Sequence, residues 1–148
     1  MNIFGKISNF DSELLQQTIN LDFKEMDYPW RQRDWVDLDW NIHQLFCMSQ
    51  ESQVLGFALF HHVSGDETAH LLKICITKKC RGTGLAKELF DQSFFELQTR
   101  GASAIYLEVQ EGNARAVSFY HKLGFKLLRP IQGYYSDGKN ALTMLLTP

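Results

Sequence analysis

With 148 residues, 45% hydrophobic and 22% charged, and a formal net charge of −2, the chain is long enough for one sizeable core and reads as a single domain over 1–148. That balance argues against a general nucleic-acid binder, since the only basic run is Lys78-Lys79-Cys80-Arg81, and no apolar stretch approaches the ~20 residues needed to cross a bilayer. Three cysteines without Cys-x-x-Cys spacing, and an N-terminus with no basic segment ahead of an apolar run, point to a cytoplasmic protein.

Residues 3–8 predict an opening strand. Over 12–26, Leu14, Leu15, Ile19, Leu21 and Phe23 recur at the spacing of an amphipathic helix, and 30–38 predicts a second, shorter one. Strands over 42–48 and 54–63 form an antiparallel pair around Gln50-Glu51-Ser52, with 68–76 as the next strand. A helix over 84–100 ends at Gly101, a strand follows over 103–109, and a helix over 113–123 closes on Gly124 as a left-handed cap. Two last strands flank the turn Ser136-Asp137-Gly138. No repeat or linker interrupts the chain. His43, His61, His62, His70 and His121 lack metal-ligand spacing, so each reads as structural or solvated and no metal is expected.

Chemistry concentrates where the strand Leu71-Leu72-Lys73-Ile74-Cys75-Ile76 leads, after a short loop, into Arg81-Gly82-Thr83-Gly84-Leu85-Ala86 and a helix marked by Leu85, Leu89 and Phe90. Gly82 and Gly84 let backbone N–H groups approach a ligand at a helix N-terminus, and Arg81 adds a fixed positive charge, which suits a phosphate or pyrophosphate. Leu85 and Ala86 after Gly84 rule out a Walker loop, which needs Lys and Ser/Thr there. Lys87 stands where a dinucleotide fingerprint needs a third small residue. Taken alone, such a loop is more often an ordinary loop and helix cap than a ligand site.

Its companions give it a family. Arg81-x-x-Gly84-x-Ala86 resembles the Arg/Gln-x-x-Gly-x-Gly/Ala signature of the GCN5-related N-acetyltransferases (GNAT), and Glu108-Val109-x-x-x-Asn113-x-x-Ala116-x-x-x-Tyr120-x-x-x-Gly124-Phe125 resembles the second half of that pattern. Within the family, Tyr106-Leu107-Glu108-Val109, Leu123-Gly124-Phe125 and Tyr134-Tyr135 are most similar to the bacterial ribosomal-protein-alanine N-acetyltransferases. The departures are Arg81 where those enzymes often carry Gln and Ala86 where Gly is commoner. The resemblance implies an α/β (α+β) fold: a single GNAT-like domain with a mixed, mostly antiparallel central sheet flanked by about four helices. It also implies acetyl-CoA as co-substrate, with the pyrophosphate on the loop amides of Arg81 to Ala86, pantetheine along Ile74, Cys75 and Ile76, where the strand splays from its neighbour, and contacts from Asn113, Ala116 and Tyr120.

Two residues carry the expected chemistry. On strand 103–109, Ile105, Leu107 and Val109 share one face and Ala104, Tyr106 and Glu108 the other. This places the Glu108 carboxylate in an apolar neighbourhood, where partial burial raises a carboxyl pKa toward that of a general base taking a proton from an ammonium substrate. The other reading of Glu108 is a solvated or ion-paired strand-end residue. Seven residues after Asn113, Tyr120 lies on nearly the same helix face two turns on; in the family the matching tyrosine protonates or hydrogen-bonds the departing thiolate, while packing beside Ala116 and Leu123 is the alternative. Tyr28-Pro29-Trp30 and Tyr134-Tyr135 resemble the two loops lining the acceptor groove of protein N-terminal acetyltransferases, and are otherwise minor-core anchors. The expected activity is transfer of acetyl to a primary amine, foremost the N-terminal α-amine of a protein or peptide. The alternatives are a small-amine acetyltransferase (polyamine, aminoglycoside or amino acid) and a non-catalytic acyl-CoA-binding module. A monomer or homodimer, with no nucleic-acid or membrane partner, completes the expectation.

Overall fold

Along the strand Gln53–His61, Val54, Phe57 and Leu59 enter one apolar core while Leu55, Ala58 and Phe60 enter another. A strand buried on both faces requires a sheet covered on both. A computed structural model describes residues 1–9 and 11–148 and shows that arrangement. Its elements are β1 (Ile3–Ile7), α1 (Ser12–Glu25), α2 (Gln32–Val36), β2 (His43–Gln50), β3 (Gln53–His61), β4 (Thr68–Ile76), α3 (Leu85–Thr99), β5 (Ala104–Gln110), α4 (Ala114–Leu123), β6 (Lys126–Ile131) and β7 (Ala141–Leu146), with one 3₁₀ turn at Lys78–Cys80. The seven strands run in the order β1-β2-β3-β4-β5-β7-β6. Only β4 and β5 are parallel, so the sheet is mixed and mostly antiparallel, as expected.

On one face, α1 and α2 bring Ile19, Leu21 and Trp35 against Leu45, Phe57 and Leu59. On the other, α3 and α4 bring Leu89, Phe90 and Tyr120 against Phe60, Leu107 and Met144. The predicted elements recur with ends moved by a few residues. The β2–β3 turn tightens to Glu51 and Ser52, both with positive φ (51° and 66°), the conformation of a two-residue hairpin turn whose twist matches its strands. The inner face of α1 differs from its apolar pattern: Phe23 is 77% exposed, while Thr18 and Asp22 are fully buried.

Two irregularities in β4 open the middle of the sheet and aim its side chains. Leu59 pairs with Lys73 but Phe60 pairs with Leu71, which leaves Leu72 as a bulge. Because a bulge shifts the alternation by one residue, Ala69 and Leu71 pack toward α3 whereas Lys73 and Cys75 turn toward α1. The parallel ladder to β5 also runs only from Thr68↔Ala104 to Leu71↔Leu107. Beyond it, β4 continues to Ile76 and β5 to Gln110 without pairing each other, so the sheet opens between them.

Candidate active site

A cleft of about 1160 Å³ runs along this opening. It is floored by Ile74, Cys75 and Ile76, whose backbone groups on the side of β5 have no strand partner. At one end, Gly82 (φ 77°) and Gly84 (φ 84°) adopt left-handed conformations, with Gly84 capping α3. A Cβ built on either would meet nothing within 4 Å, so the space over the first-turn amides of Leu85 and Ala86 is open. A helix start with orphan N–H groups and an empty approach fits a pyrophosphate.

Three residues of the expected cofactor site also make hydrogen bonds within the fold. Arg81 is not a free charge: its Nη2 donates to Glu25 Oε2 at 3.0 Å, tying the loop to the end of α1. Thr83 does not line the cleft; its hydroxyl donates back to the Cys80 carbonyl at 2.5 Å and braces the turn. Asn113 caps α4, its Oδ1 accepting from the Ala116 N–H at 3.1 Å, which leaves its amide NH₂ free for a ligand.

Opposite the loop, the side chain of Glu108 is 13% exposed. Its surroundings are polar and aromatic rather than apolar: His70 Nε2 lies 2.5 Å from Oε2, and Tyr106 and Tyr134 face it. Burial, the negative charge of Glu108 and a hydrogen bond to it push the Tyr134 phenol up to about 12. Tyr120 combines the two roles weighed for it, since it lines the cleft and also packs edge-on against Phe125 at 5.6 Å. Burial raises its phenol well above the ordinary tyrosine value, with a smaller contribution from Tyr135, and its hydroxyl has no hydrogen-bond partner among the described residues.

The two aromatic segments meet at one side of the cleft, which both line. Tyr28 and Tyr135 stack with centroids 4.2 Å apart and planes 10° from parallel, and the Tyr28 hydroxyl donates to Asp137 Oδ2 at 2.9 Å. Trp30 lines the cleft and also packs against the second core, its ring 5.2 Å from that of Trp35. Its backbone N–H donates to Asp22 Oδ2 at 2.8 Å, and the same oxygen accepts from Trp35 Nε1 at 3.0 Å. Lys73 Nζ donates to Asp22 Oδ1 and to the Tyr28 carbonyl, both at 2.9 Å, and lies 5.3 Å from the Trp30 ring centroid. Both members of this ion pair are buried, with side-chain exposures of 4% for Lys73 and 0% for Asp22.

His70, Asp22, Lys73 and Glu25 are the site residues that sequence reasoning missed. His70 faces opposite Ala69 and Leu71, a placement alternation supplies; that it meets Glu108 depends on the parallel register His70↔Tyr106, which only the folded sheet fixes. Lys73 reaches Asp22 only because of the Leu72 bulge. No cluster of three or more His, Cys, Asp or Glu able to hold a metal occurs among the described residues, and no helix among them is long and apolar enough to cross a membrane.

Residues 12–125 match the model of the Acetyltransferase (GNAT) family, and the chain belongs to that family, whose members use acetyl-CoA. Over 144 residues, 96% of each chain, it is 24% identical to the [ribosomal protein bS18]-alanine N-acetyltransferase of Escherichia coli K12. It is 35% identical over 79 residues, 53% of each chain, to N-alpha-acetyltransferase 30 of Schizosaccharomyces pombe. The crystal structure of the ribosomal-protein-S18-alanine N-acetyltransferase from Escherichia coli superposes with a TM-score of 0.87 at 25% identity, covering 99% of this chain and 94% of that one.

Proposed function

We propose that this chain acetylates the α-amine of a protein or peptide N-terminus, with Glu108 as the base and Tyr120 at the leaving sulfur. The observation that carries the reading is the position of Glu108, a carboxylate lining the cleft with the stacked Tyr28 and Tyr135. An extended N-terminus has surfaces to lie between there, and its ammonium has a carboxylate to meet. Acetyl-CoA supplies an activated thioester when bound. The amides after Gly84 and the free edge of β4 at Ile74 to Ile76 are the groups suited to hold it, with Arg81 and the NH₂ of Asn113 beside them.

In this scheme Glu108 takes a proton from the acceptor ammonium, which frees the nitrogen lone pair for attack on the thioester carbonyl. The C–N bond forms, the C–S bond breaks, and Tyr120 steadies the thiolate. A phenol whose pKa burial has raised is a poor proton source for a thiol of ordinary pKa ~8.5, so hydrogen bonding is the larger part of its contribution. An α-amine of pKa ~7.7–8.0 is easier to deprotonate than lysine at ~10.4 by about 3 kcal/mol, so a single carboxylate is matched to the α-amine. The relatives named for alanine and N-alpha acetylation support the same acceptor, with a small first residue such as Ala or Ser. Glu108→Gln should lower kcat by roughly 10²–10⁴ while acetyl-CoA affinity holds; near-normal turnover at neutral pH in that variant removes Glu108 from the chemistry.

A further inference from the structure

Arg81 opens the glycine loop, Glu25 ends α1, and the residues that follow Glu25, Met26 to Tyr28, line the cleft on the side of the aromatic pair. Arg81 Nη2 donates to Glu25 Oε2 at 3.0 Å, and among the described residues this is the one ion pair that joins α1 to the segment 77–86. Glu25 depends on that contact. Its side chain is 8% exposed, and it stands at the C-terminal end of a helix, where the macrodipole disfavours an anion. Asp22, one turn before it, has its charge matched by Lys73, and the Glu25 side chain has no second hydrogen-bond or ion-pair partner among the described residues.

Arg81 depends on Glu25 less. It gives the carboxylate one nitrogen rather than a two-pronged fork, and its side chain is 31% exposed and lines the cleft. From Gly82 to Ala86 the loop carries no other charge, and Lys87, the next cation along the cleft wall, is bonded to Asp91. The cation beside the open α3 amides is therefore already engaged by an internal anion. A pyrophosphate carries more charge than a carboxylate, so Arg81 turns to it when it is present. Glu25 is then a nearly buried carboxylate without its partner, which opposes the exchange.

We propose that Glu25 is a built-in competitor for Arg81: it holds the guanidinium while the cleft is empty, yields it to the phosphates of acetyl-CoA, and so both weakens the grip on the cofactor and frees the end of α1 when the cofactor binds. The two effects are one coupling and are reciprocal. A closed Arg81–Glu25 pair favours release of CoA, and bound CoA loosens the start of the segment that carries Tyr28. Only the description of that segment as the acceptor's rests on the proposed function; the exchange at Arg81 involves acetyl-CoA alone.

Calorimetry on Glu25→Gln, with no acceptor present, tests the competition. Glutamine keeps the length of the side chain and an oxygen for Arg81 but not the charge. The variant should bind acetyl-CoA about threefold or more tighter than wild type, and S-acetylpantetheine, which lacks the phosphates, within about twofold of wild type. Equal or weaker acetyl-CoA binding in folded Glu25→Gln overturns the proposal and leaves the ion pair as a brace. A matching gain for S-acetylpantetheine overturns it too, because the effect then does not pass through the phosphates. Should Glu25→Gln fail to fold, Glu25→Ala is read the same way. Amide hydrogen exchange of the wild-type protein is the second arm and needs no variant. The Met26 N–H, bonded to the Asp22 carbonyl at 3.0 Å at the end of α1, should exchange about twofold or more faster on saturation with acetyl-CoA, while the first-turn amides of α3 exchange more slowly. Unchanged or slower exchange at Met26 overturns the release of α1. Turnover of small amines alone would defeat the α-amine reading and leave both measurements standing, whereas failure of either measurement leaves the roles of Glu108 and of the α-amine acceptor untouched.

Discussion

Among the described residues, Lys73→Met breaks the one ion pair whose members are both almost fully buried, and the structure sets the size of the effect. Lys73 Nζ lies 2.9 Å from Asp22 Oδ1, with side-chain exposures of 4% and 0%. Methionine keeps most of the aliphatic stem, so little packing is lost, but Asp22 is left charged and satisfied only at Oδ2, by Trp30 N–H and Trp35 Nε1. An uncompensated buried charge of this kind costs about 3–5 kcal/mol, or about 6–20 °C of melting temperature at ~2–4 °C per kcal/mol for a domain near this size. The Tyr28 carbonyl also loses its donor, so the loop carrying Tyr28 and Trp30 loosens and the acceptor KM rises. Adding Asp22→Asn should recover at least half of the lost melting temperature. The Asn carbonyl oxygen can occupy the Oδ2 position and keep both tryptophan donors, while the charge is gone. Circular-dichroism melts of the two variants decide the matter: a Lys73→Met protein melting within about 3 °C of wild type, or a double variant no better than the single, would refute the reasoning.

Two further variants address the donor side of the cleft. Gly84→Val places a Cβ in the open approach to the α3 amides at a backbone φ of 84°, so acetyl-CoA affinity by calorimetry should fall at least tenfold; unchanged affinity in a folded variant would show that the pyrophosphate lies elsewhere. Tyr120→Phe removes a hydroxyl without a protein partner but keeps the ring against Phe125, so kcat should drop about tenfold or more with the melting temperature within a few degrees. An effect on melting temperature alone would make Tyr120 a core residue.

Local pattern carried most of the fold. Residues 84–100 and 103–109 show their helical and alternating periods plainly, and the observed α3 and β5 differ from them by one residue at their ends. What escaped depends on register and on irregularity. Phe23, placed in the core by its spacing, is exposed because the inner stripe of α1 is completed by Thr18 and Asp22; a buried carboxylate becomes the better occupant only when Lys73, Trp30 and Trp35 are there to satisfy it. Lys73 is aimed by a single extra residue, Leu72, which no period-two reading anticipates. The same contrast holds at the site. The glycines and Glu108 announced themselves through motifs, whereas His70 reaches Glu108 across 38 residues of sequence, and Arg81, expected to face a phosphate, turned out to be shared with Glu25.

The central claim is acetyl transfer to an α-amine with Glu108 as base, and intact-mass and fragment mass spectrometry on one peptide tests it most directly. The peptide carries a free Ala or Ser N-terminus and an internal lysine, and is incubated with acetyl-CoA and either wild-type protein or Glu108→Gln. The account predicts a single acetyl group on the first residue with the wild-type protein, and formation of the same product slowed at least a hundredfold with the variant. Acetyl confined to the lysine, no peptide product alongside rapid turnover of small amines, or equal rates from the two proteins would contradict it.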